Sequence, residues 1–335
     1  GLVPPGLGWV VFRDRKVFNE ALVFYVNYLG GEAATATLNF SKSSATVVVQ
    51  YYQFLRLGRE GYTRIMKNTL SHAEYLRDRL VKTGKFQIMN ETQRIPVVAL
   101  TLDKSVTRYN EFDISAKVRE RGWILAAYTM PPNAEEAREL FADGSFRNFA
   151  DPDMYPHTKA MEGKCVDWLH DLWNGPKDAE PYGAACIGSS EACMLGGLAH
   201  KWNWREARKA AGKDASNPNM VTGGNVQIVW KKFLKYFEVE PRVVPLEPGN
   251  YRLTAEHLEE YVDENTICVV AIAGQTFTGE DDDIQAIHDW LDEYEKKTGI
   301  SIPMHIDGAS GGFVNPFLYP DLEWDFRLPR VESIN

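Results

Sequence analysis

The chain has 335 residues, of which 44% are hydrophobic and 25% are charged, a composition typical of a soluble globular protein of about two domains. Its net charge of −9 argues against non-specific binding to nucleic acid or to anionic membranes, and no apolar run is long enough to span a bilayer. The four cysteines show no Cys-x-x-Cys spacing, so we expect free buried thiols and a reducing, cytoplasmic location.

Helix and strand patterns alternate along much of the sequence. In chain order, the apolar spacing predicts helices over residues 22–29, 44–63, 115–121, 191–208, 254–262 and 284–297. It predicts strands within residues 86–102, 123–128, 221–230 and 266–273, and another over residues 300–304. This alternation favours an α/β fold with a mainly parallel sheet and helices on both faces, plus a small α+β unit at residues 66–133.

Asp307 is the most informative residue. It follows the predicted strand at 300–304 and precedes a glycine-rich turn, Gly308–Gly312. A carboxylate at the end of a buried strand needs a cationic or hydrogen-bonded partner, and the protonated ring nitrogen of pyridoxal 5′-phosphate (PLP) is one such partner. A simple turn carboxylate is the alternative. Metal binding together with His305 is a third reading, for which no further ligand with distinctive spacing is found.

Three further motifs have both a functional and a structural explanation. Gly188–Glu191 opens a predicted helix, so it is either a phosphate site made of backbone N–H groups and hydroxyls or an ordinary helix cap. Gly308–Gly312 matches the Gly-x-Ser-x-Gly motif of α/β-hydrolases, with Ser310 as the nucleophile, although Pro316 does not suit the helix that should follow. The acidic run at 280–283 fits the first turn of the next helix better than a cation site.

Several motifs together resemble one enzyme family. They are Gly188-Ser-Ser-Glu-Ala-Cys-Met-Leu-Gly-Gly, Val226-Gln-Ile-Val-Trp, Thr276-Phe-Thr-Gly, His305-Ile-Asp-Gly-Ala-Ser-Gly-Gly-Phe and Trp324-Asp-Phe-Arg-Leu-Pro-Arg-Val, with further likeness at Asn39-Phe-Ser, Tyr51-Tyr-Gln-Phe-Leu-Arg and Ala127-Tyr-Thr-Met-Pro-Pro-Asn. Nearly the whole chain is similar in this way to the glutamate decarboxylases, which are PLP enzymes of fold type I. The resemblance implies a PLP cofactor and decarboxylation of L-glutamate to 4-aminobutyrate and carbon dioxide.

The resemblance also implies roles for individual residues. Ser189 and Ser190 match the phosphate-binding pair, Gln227 the residue over the pyridine ring, Thr276 a residue beside the ring, Asp307 the partner of the ring nitrogen and Ala309 the small residue under the ring. Phe40 and Ser41 match positions that reach the cofactor of a neighbouring subunit, which implies a homodimer or larger homo-oligomer with a shared active site. Asn148 and Asp151 match substrate-pocket positions.

The order of the motifs differs from that of the family. Segments like residues 138–335 come first there, then a Ser-x-His-Lys stretch, and then segments like residues 1–137. This predicts a circularly permuted chain whose Schiff-base lysine would fall just beyond Asn335. We expect a large PLP-binding domain from residues 138–335 and 1–20, connecting helices at 21–65 and a small domain at 66–137. A PLP decarboxylase of another amino acid, a catalytically incomplete chain and, remotely, a hydrolase using Ser310 remain alternatives.

Overall fold

A computed structural model describes residues 3–4, 6–26, 33–35, 37–38, 43–88, 95–109, 111–121, 156–247 and 249–335. The strands are β1 (Leu7–Phe12), β2 (Phe24–Val26), β3 (Ala33–Thr35), β4 (Phe86–Ile88), β5 (Leu100–Leu102), β6 (Tyr182–Ile187), β7 (Asn219–Gly223), β8 (Glu240–Val244), β9 (Thr266–Ile272), β10 (Met304–Asp307) and β11 (Val331–Ile334). The helices are α1 (Ala45–Val81), α2 (Glu111–Glu120), α3 (Pro156–Leu172), α4 (Gly188–Ala210), α5 (Ile228–Tyr236), α6 (Leu258–Tyr261), α7 (Ile284–Thr298) and α8 (Asn315–Leu318).

Seven strands form one central sheet in the order β6-β1-β11-β10-β9-β7-β8. Strand β1 is antiparallel to both of its neighbours, whereas the remaining neighbouring pairs are parallel. All strands of this sheet except β1 therefore point the same way, and their carboxyl ends lie at one edge. The predicted α/β class with a mainly parallel sheet is confirmed.

The sheet is buried on both faces, as strand β9 shows. All seven of its residues are buried, and the six that follow Thr266 divide between two apolar clusters. Val269 and Ala271 belong to the cluster that includes Leu169 of α3 and Leu291 of α7. Val270 and Ile272 belong to the cluster on the other face, which also contains residues of α4 and α5. A strand that must be apolar on both faces reads as an unbroken apolar run, which is why its prediction succeeded.

The predicted helices at 191–208 and 284–297 and the predicted strand at 266–273 are confirmed as α4, α7 and β9. The predicted helix at 22–29 is wrong, because residues 24–26 form β2, which pairs with β3. The predicted strand at 221–230 is also wrong in its second half: β7 ends at Gly223, and α5 begins at Ile228. Only the last residue of the strand predicted at 300–304 lies in β10, and the strand predicted at 123–128 lies outside the described residues.

Outside the sheet, α1 is the longest element. It bends at Gly58, whose φ of 55° and ψ of −174° are not helical, and it extends beyond the helix predicted at 44–63. The two-stranded pair β4–β5 and helix α2 are the described parts of the predicted small unit. The division into three domains stays a prediction. Within the described ranges, no helix combines the length and the apolar character needed to cross a membrane.

Candidate functional site

Asp307 lies at the carboxyl end of β10, and only 3% of its surface is exposed to solvent. Its Oδ2 accepts a hydrogen bond from Trp230 Nε1 at 2.9 Å, and its Oδ1 accepts from Asn335 Nδ2 at 3.2 Å and from the backbone N–H of Ala309 at 3.3 Å. The ion pairs between described residues do not include Asp307. Among the described residues this buried carboxylate has only neutral donors as partners, so a cationic group of a ligand would suit it.

Helix α4 connects Asp307 to a second part of the site. Cys193 Sγ lies 3.9 Å from Asp307 Oδ2, and burial, followed by the charge of Asp307, raises the pKa of this thiol well above its usual range. The thiol is therefore neutral. Ser189 precedes Cys193 by four residues, which is a rise of about 6 Å along a helix. The start of α4 thus lies about one helical turn from the contact with Asp307.

The start of α4 is exposed and lacks a side-chain cap. The N-cap residue is Ile187, which has no polar side chain, and Glu191 Oε2 accepts a hydrogen bond from the backbone N–H of Ile187 at 2.5 Å. Ser189 and Ser190 are both exposed. Backbone N–H groups at an uncapped helix start, next to two hydroxyls, form a binding site for an anion such as phosphate.

Strand β1 holds this turn in place. A Cβ atom at Gly8 would lie 2.3 Å from the carbonyl oxygen of Gly188 and 2.7 Å from the backbone nitrogen of Ser189, so only glycine allows this approach. The backbone N–H of Gly188 donates to the carbonyl oxygen of Gly6 at 3.0 Å, and Gly188 has a φ of +73°. The geometry of the anion site therefore depends on glycines in two segments that are far apart in sequence.

Gln227 and Thr276 follow two adjacent strands, β7 and β9, and are in contact. Gln227 is the N-cap residue of α5, and its Nε2 donates a hydrogen bond to Thr276 Oγ1. Thr276 and Ala309 are exposed, and Gln227 is half-buried. These three side chains therefore lie at the edge of the sheet where β10 ends in Asp307.

Asp282, in the acidic run at 280–283, joins the two segments that lead to this pair. Asp282 is buried, and its Oδ1 accepts hydrogen bonds from Asn225 Nδ2 and from the backbone N–H of Leu253, each at 2.8 Å. Its Oδ2 accepts from the backbone N–H of Ile272 at 2.7 Å. The prediction that these carboxylates serve the first turn of α7 is wrong, because Asp282 instead joins the loop that leads to Gln227 to the end of β9.

The structure thus brings six of the predicted residues to the carboxyl edge of the sheet: Ser189, Ser190, Gln227, Thr276, Asp307 and Ala309. Strands β6 and β10 are three positions apart, which is about 14 Å in a sheet. Helix α4 crosses this gap, as its contact with Asp307 shows. Phe40, Ser41, Asn148 and Asp151 lie outside the described residues.

Sequence reasoning missed three side chains that contact Asp307: Trp230, Asn335 and Cys193. The sequence pattern predicts a strand at Trp230. In the helix that is present, residues three apart lie on the same face, so Trp230 lies on the same side as Gln227. No local signal marks Asn335, because its contact with Asp307 depends on the pairing of β10 with β11.

The hydrolase and metal readings gain no support from the structure. Ser310 is followed by a short 3₁₀ helix at 311–313 and then by α8, which contains Pro316, instead of the long helix of a nucleophile elbow. None of the described histidines donates to or accepts from Ser310. Both ring nitrogens of His305 are engaged by protein groups, and the described residues contain no group of three or more metal-binding side chains.

The residues at this edge fit PLP. The uncapped start of α4 suits a phosphate, and the buried carboxylate of Asp307, about one helical turn from that start, suits a protonated ring nitrogen. Ala309 is small and exposed. The chemistry of this donor set therefore agrees with the expectation from sequence.

Known proteins agree with this reading. The chain is 48% identical to a glutamate decarboxylase of Petunia hybrida over 213 residues, which are 63% of this chain and 43% of that protein. It is 41% identical to glutamate decarboxylase 3 of Arabidopsis thaliana over 275 residues, which are 82% of this chain and 51% of that protein. The chain thus spans about half the length of these relatives.

Among solved structures, a glutamate decarboxylase of Lactobacillus brevis aligns with a TM-score of 0.60 and 36% identity, covering 69% of this chain and 55% of that one. A sphingosine-1-phosphate lyase of Burkholderia pseudomallei aligns with a TM-score of 0.53 and 26% identity, covering 67% of this chain and 53% of that one. The predicted fold type I is confirmed. The family described as "Pyridoxal-dependent decarboxylase conserved domain" matches residues 1–103 and 137–335, and this chain belongs to it.

Proposed function

We propose that the chain forms the PLP-binding part of an L-glutamate decarboxylase, which releases carbon dioxide and 4-aminobutyrate. The observation that carries the proposal is Asp307, a buried carboxylate without an ion-pair partner among the described residues, about one helical turn from an uncapped helix start. The relatives at 41–48% identity are named glutamate decarboxylase, which favours glutamate as the substrate.

Asp307 keeps the cofactor electron-poor. When bound, PLP supplies the sink that accepts the electron pair left by the departing carboxylate. Asp307 would hold the cofactor by accepting a hydrogen bond from its ring nitrogen, and the carboxylate would favour the protonated form of that nitrogen. Trp230 donates to one carboxylate oxygen and Asn335 to the other, which fixes the orientation of the carboxylate.

The remaining residues bind and orient. Ser189 and Ser190 bind the phosphate through hydroxyl and backbone N–H groups, which anchors one end of the cofactor. The hydrogen-bonded pair of Gln227 and Thr276 would orient the ring and limit the access of water to it. The single methyl group of Ala309 would leave room for the ring to bind. Asn148 and Asp151 are proposed to recognise the distal carboxylate of glutamate.

We also propose a cytoplasmic homodimer or larger homo-oligomer, in which Phe40 and Ser41 reach the cofactor of a neighbouring subunit. Three large apolar side chains support an interface beside the site: Ile187, Ile228 and Phe277 are 44%, 61% and 65% exposed. They follow or flank the residues that we assign to the cofactor. All three would be removed from water if a second chain covered this part of the surface.

The test is release of labelled carbon dioxide from L-[1-¹⁴C]glutamate by the full-length protein with added PLP, compared with L-aspartate and an aromatic amino acid. The highest kcat/KM for glutamate is expected. A higher value for another amino acid would identify a decarboxylase of different specificity. Binding of PLP without release of carbon dioxide from any substrate would identify a catalytically incomplete chain. Labelling of Ser310 by a serine-reactive phosphonate, absent in Ser310→Ala, would favour the hydrolase reading instead.

A further inference from the structure

A buried chain of polar side chains lies behind Asp307. Asn335 Nδ2 is 3.2 Å from Asp307 Oδ1, and Asn335 Oδ1 is 2.8 Å from His305 Nε2. His305 Nδ1 is 2.7 Å from Ser333 Oγ, and the same hydroxyl is 2.7 Å from His200 Nε2. All five residues are buried, with exposed fractions between 0% and 7%. Strands β10 and β11 and helix α4 thus contribute to one continuous path that ends on the carboxylate.

Packing fixes the rings in this path. A Cβ atom at Gly196 of α4 would lie 2.6 Å from Cε1 of His305, so the ring touches the helix backbone at a glycine. The rings of Trp230 and His305 are in edge contact, with centroids 5.0 Å apart. The His305 ring therefore cannot turn over without moving α4 or α5.

Both histidines are neutral near pH 7. Burial lowers the pKa of His200 to about 3, with a smaller contribution from His305, and burial also lowers the pKa of His305. A neutral imidazole has one N–H donor and one bare nitrogen acceptor. His200 Nδ1 is buried and makes no hydrogen bond, since Glu332 Oε2, at 3.8 Å, lies beyond hydrogen-bond distance; this suits the bare nitrogen.

Each hydrogen bond in the path can then have only one donor and one acceptor, so donation runs in a single direction, from His200 towards Asp307. The ionised carboxylate of Asp307 only accepts, so Asn335 directs its NH₂ group to it and its oxygen to His305. His305 must therefore carry its hydrogen on Nε2, and its bare Nδ1 accepts from the Ser333 hydroxyl. That hydroxyl has used its single hydrogen, so it accepts from Nε2–H of His200.

We propose that His305, Ser333 and His200 are positioning residues that fix the direction of this hydrogen-bond chain and keep the Asn335 amide donating to Asp307. The inference rests on the proposed role of Asp307 as partner of the cofactor ring nitrogen. Because an amide stands between His305 and Asp307, the chain orients the carboxylate and transfers no proton to it. Loss of one of these side chains would reverse or break the hydrogen bonds between it and Asp307.

The first test reads the hydrogens directly. Two-dimensional ¹H–¹⁵N spectra of protein labelled at histidine separate ring nitrogens that carry hydrogen from bare ones. The chain has seven histidines, so His200→Gln and His305→Gln assign the two signals. Hydrogen on Nε2 of both rings is expected in the protein without cofactor. Hydrogen on Nδ1 of either ring would overturn the proposed direction.

The second test compares the affinities of Ser333→Ala for PLP and for an analogue with carbon in place of the ring nitrogen. Loss of one buried link should weaken PLP binding about tenfold and leave analogue binding unchanged. The control is Thr222→Val, which removes a buried hydroxyl without a hydrogen-bond partner and should alter neither affinity.

Each outcome of the second test has one meaning. Equal weakening of both ligands by Ser333→Ala would show a general loss of structure and overturn the inference, as would no weakening of either. If the unmodified protein binds PLP and the analogue equally well, the proposed role of Asp307 fails. The ring-nitrogen spectra, recorded without cofactor, would still decide the direction of the chain in that case.

Discussion

Asp307 and Asp282 are two buried carboxylates near the same edge of the sheet, and they differ in their partners. Asp282 accepts from the backbone N–H groups of Leu253 and Ile272 and from one amide side chain. Asp307 accepts mainly from two side chains, Trp230 and Asn335, and only one backbone N–H, that of its own turn. The backbone donors of Asp282 belong to separate segments, so this carboxylate joins those segments. The side-chain donors of Asp307 instead fix the orientation of the carboxylate itself.

The comparison shows that burial alone does not identify a functional acid. Asp282 and Asp307 are 4% and 3% exposed, so exposure does not separate them. What separates them is the surroundings. Asp307 lies beside the exposed Ala309 and contacts the helix that begins with Ser189, whereas Asp282 connects loops. Four predictions test this difference.

The largest expected effect is that of Asp307→Asn. A neutral amide cannot hold the proton on the cofactor nitrogen, so kcat should fall by about two to three orders of magnitude, as when a group that stabilises transition-state charge is removed. The measurement is the initial rate of carbon dioxide release from glutamate at saturating PLP.

Asp282→Asn is the matched control, since it makes the same change at the other buried carboxylate. It should lower kcat by no more than about tenfold, because it loosens only the loops around Gln227 and Thr276. Its main effect should be on the free energy of unfolding. Equal loss of kcat in the two variants would mean that the two carboxylates do not differ in function.

The second prediction concerns pH. Burial raises the pKa of Asp282 to about 7, although three donors oppose the shift. In the unfolded chain the pKa of an aspartate is about 4. The contribution of Asp282 to the free energy of unfolding is therefore complete below about pH 4 and is lost as the pH rises to about 7. The shift corresponds to up to about 4 kcal/mol.

Urea unfolding between pH 4 and pH 7.5 measures this effect. Glu332, whose pKa burial also raises to about 7, contributes equally to the unmodified protein and to Asp282→Asn, so it cancels in their difference. The free energy of unfolding should fall more steeply with pH in the unmodified protein. Parallel curves would show that Asp282 does not titrate in this range.

Sequence reasoning worked where one residue pattern has one physical cause. Strand β9 is apolar on both faces because both faces are covered, and α7 has apolar residues at helical spacing because one side meets the core. The resemblance assigns Gln227 and Thr276 to the same cofactor, and the structure shows that they are in contact because β7 and β9 are adjacent.

Sequence-based prediction failed where contacts between residues distant in sequence determine the local structure. Residues 24–26 have a pattern compatible with a helix, but pairing with β3 makes them a strand. Trp230 was assigned to a strand that in fact ends at Gly223, before the chain turns into α5. The position of the acidic run before α7 predicts a helix start, but the donors to Asp282 come from segments distant in sequence, which no local pattern reveals. The permuted order of segments stays a prediction.

The third prediction tests the start of α4, the feature that Asp307 has nearby and Asp282 lacks. In Gly8→Ala, the new Cβ would lie 2.3 Å from the carbonyl oxygen of Gly188, so the turn must move. We expect a loss of about 1–3 kcal/mol in the free energy of unfolding and at least tenfold weaker PLP binding. Isothermal titration with PLP measures the affinity.

Gly163→Ala is the control for this substitution, because no atom lies within 4 Å of a Cβ built there and the residue is in the interior of α3. It should leave PLP binding unchanged and stabilise the protein by up to about 1 kcal/mol. If Gly8→Ala lowers stability but leaves PLP affinity unchanged, the contact between β1 and the start of α4 does not determine phosphate binding.

The smallest expected effect is that of Thr276→Val, which removes the acceptor of the Gln227 hydrogen bond. One such bond contributes about 0.5–1.5 kcal/mol, so kcat/KM should fall by about two- to tenfold, while the exposed position leaves stability unchanged. Thr298→Val, an exposed change at the end of α7 that removes local hydrogen bonds with Tyr294 and Ile300, should leave kcat/KM unchanged.

A double-mutant cycle joins this prediction to the comparison of the two acids. Asp282 holds both Asn225, two residues before Gln227, and Ile272, four residues before Thr276. Groups that share one network are not additive. The effect of Thr276→Val on kcat/KM should therefore shrink in the Asp282→Asn background, because the contact is already loosened there. Full additivity would mean that the structural carboxylate does not position the Gln227–Thr276 pair, and the two regions would then be independent.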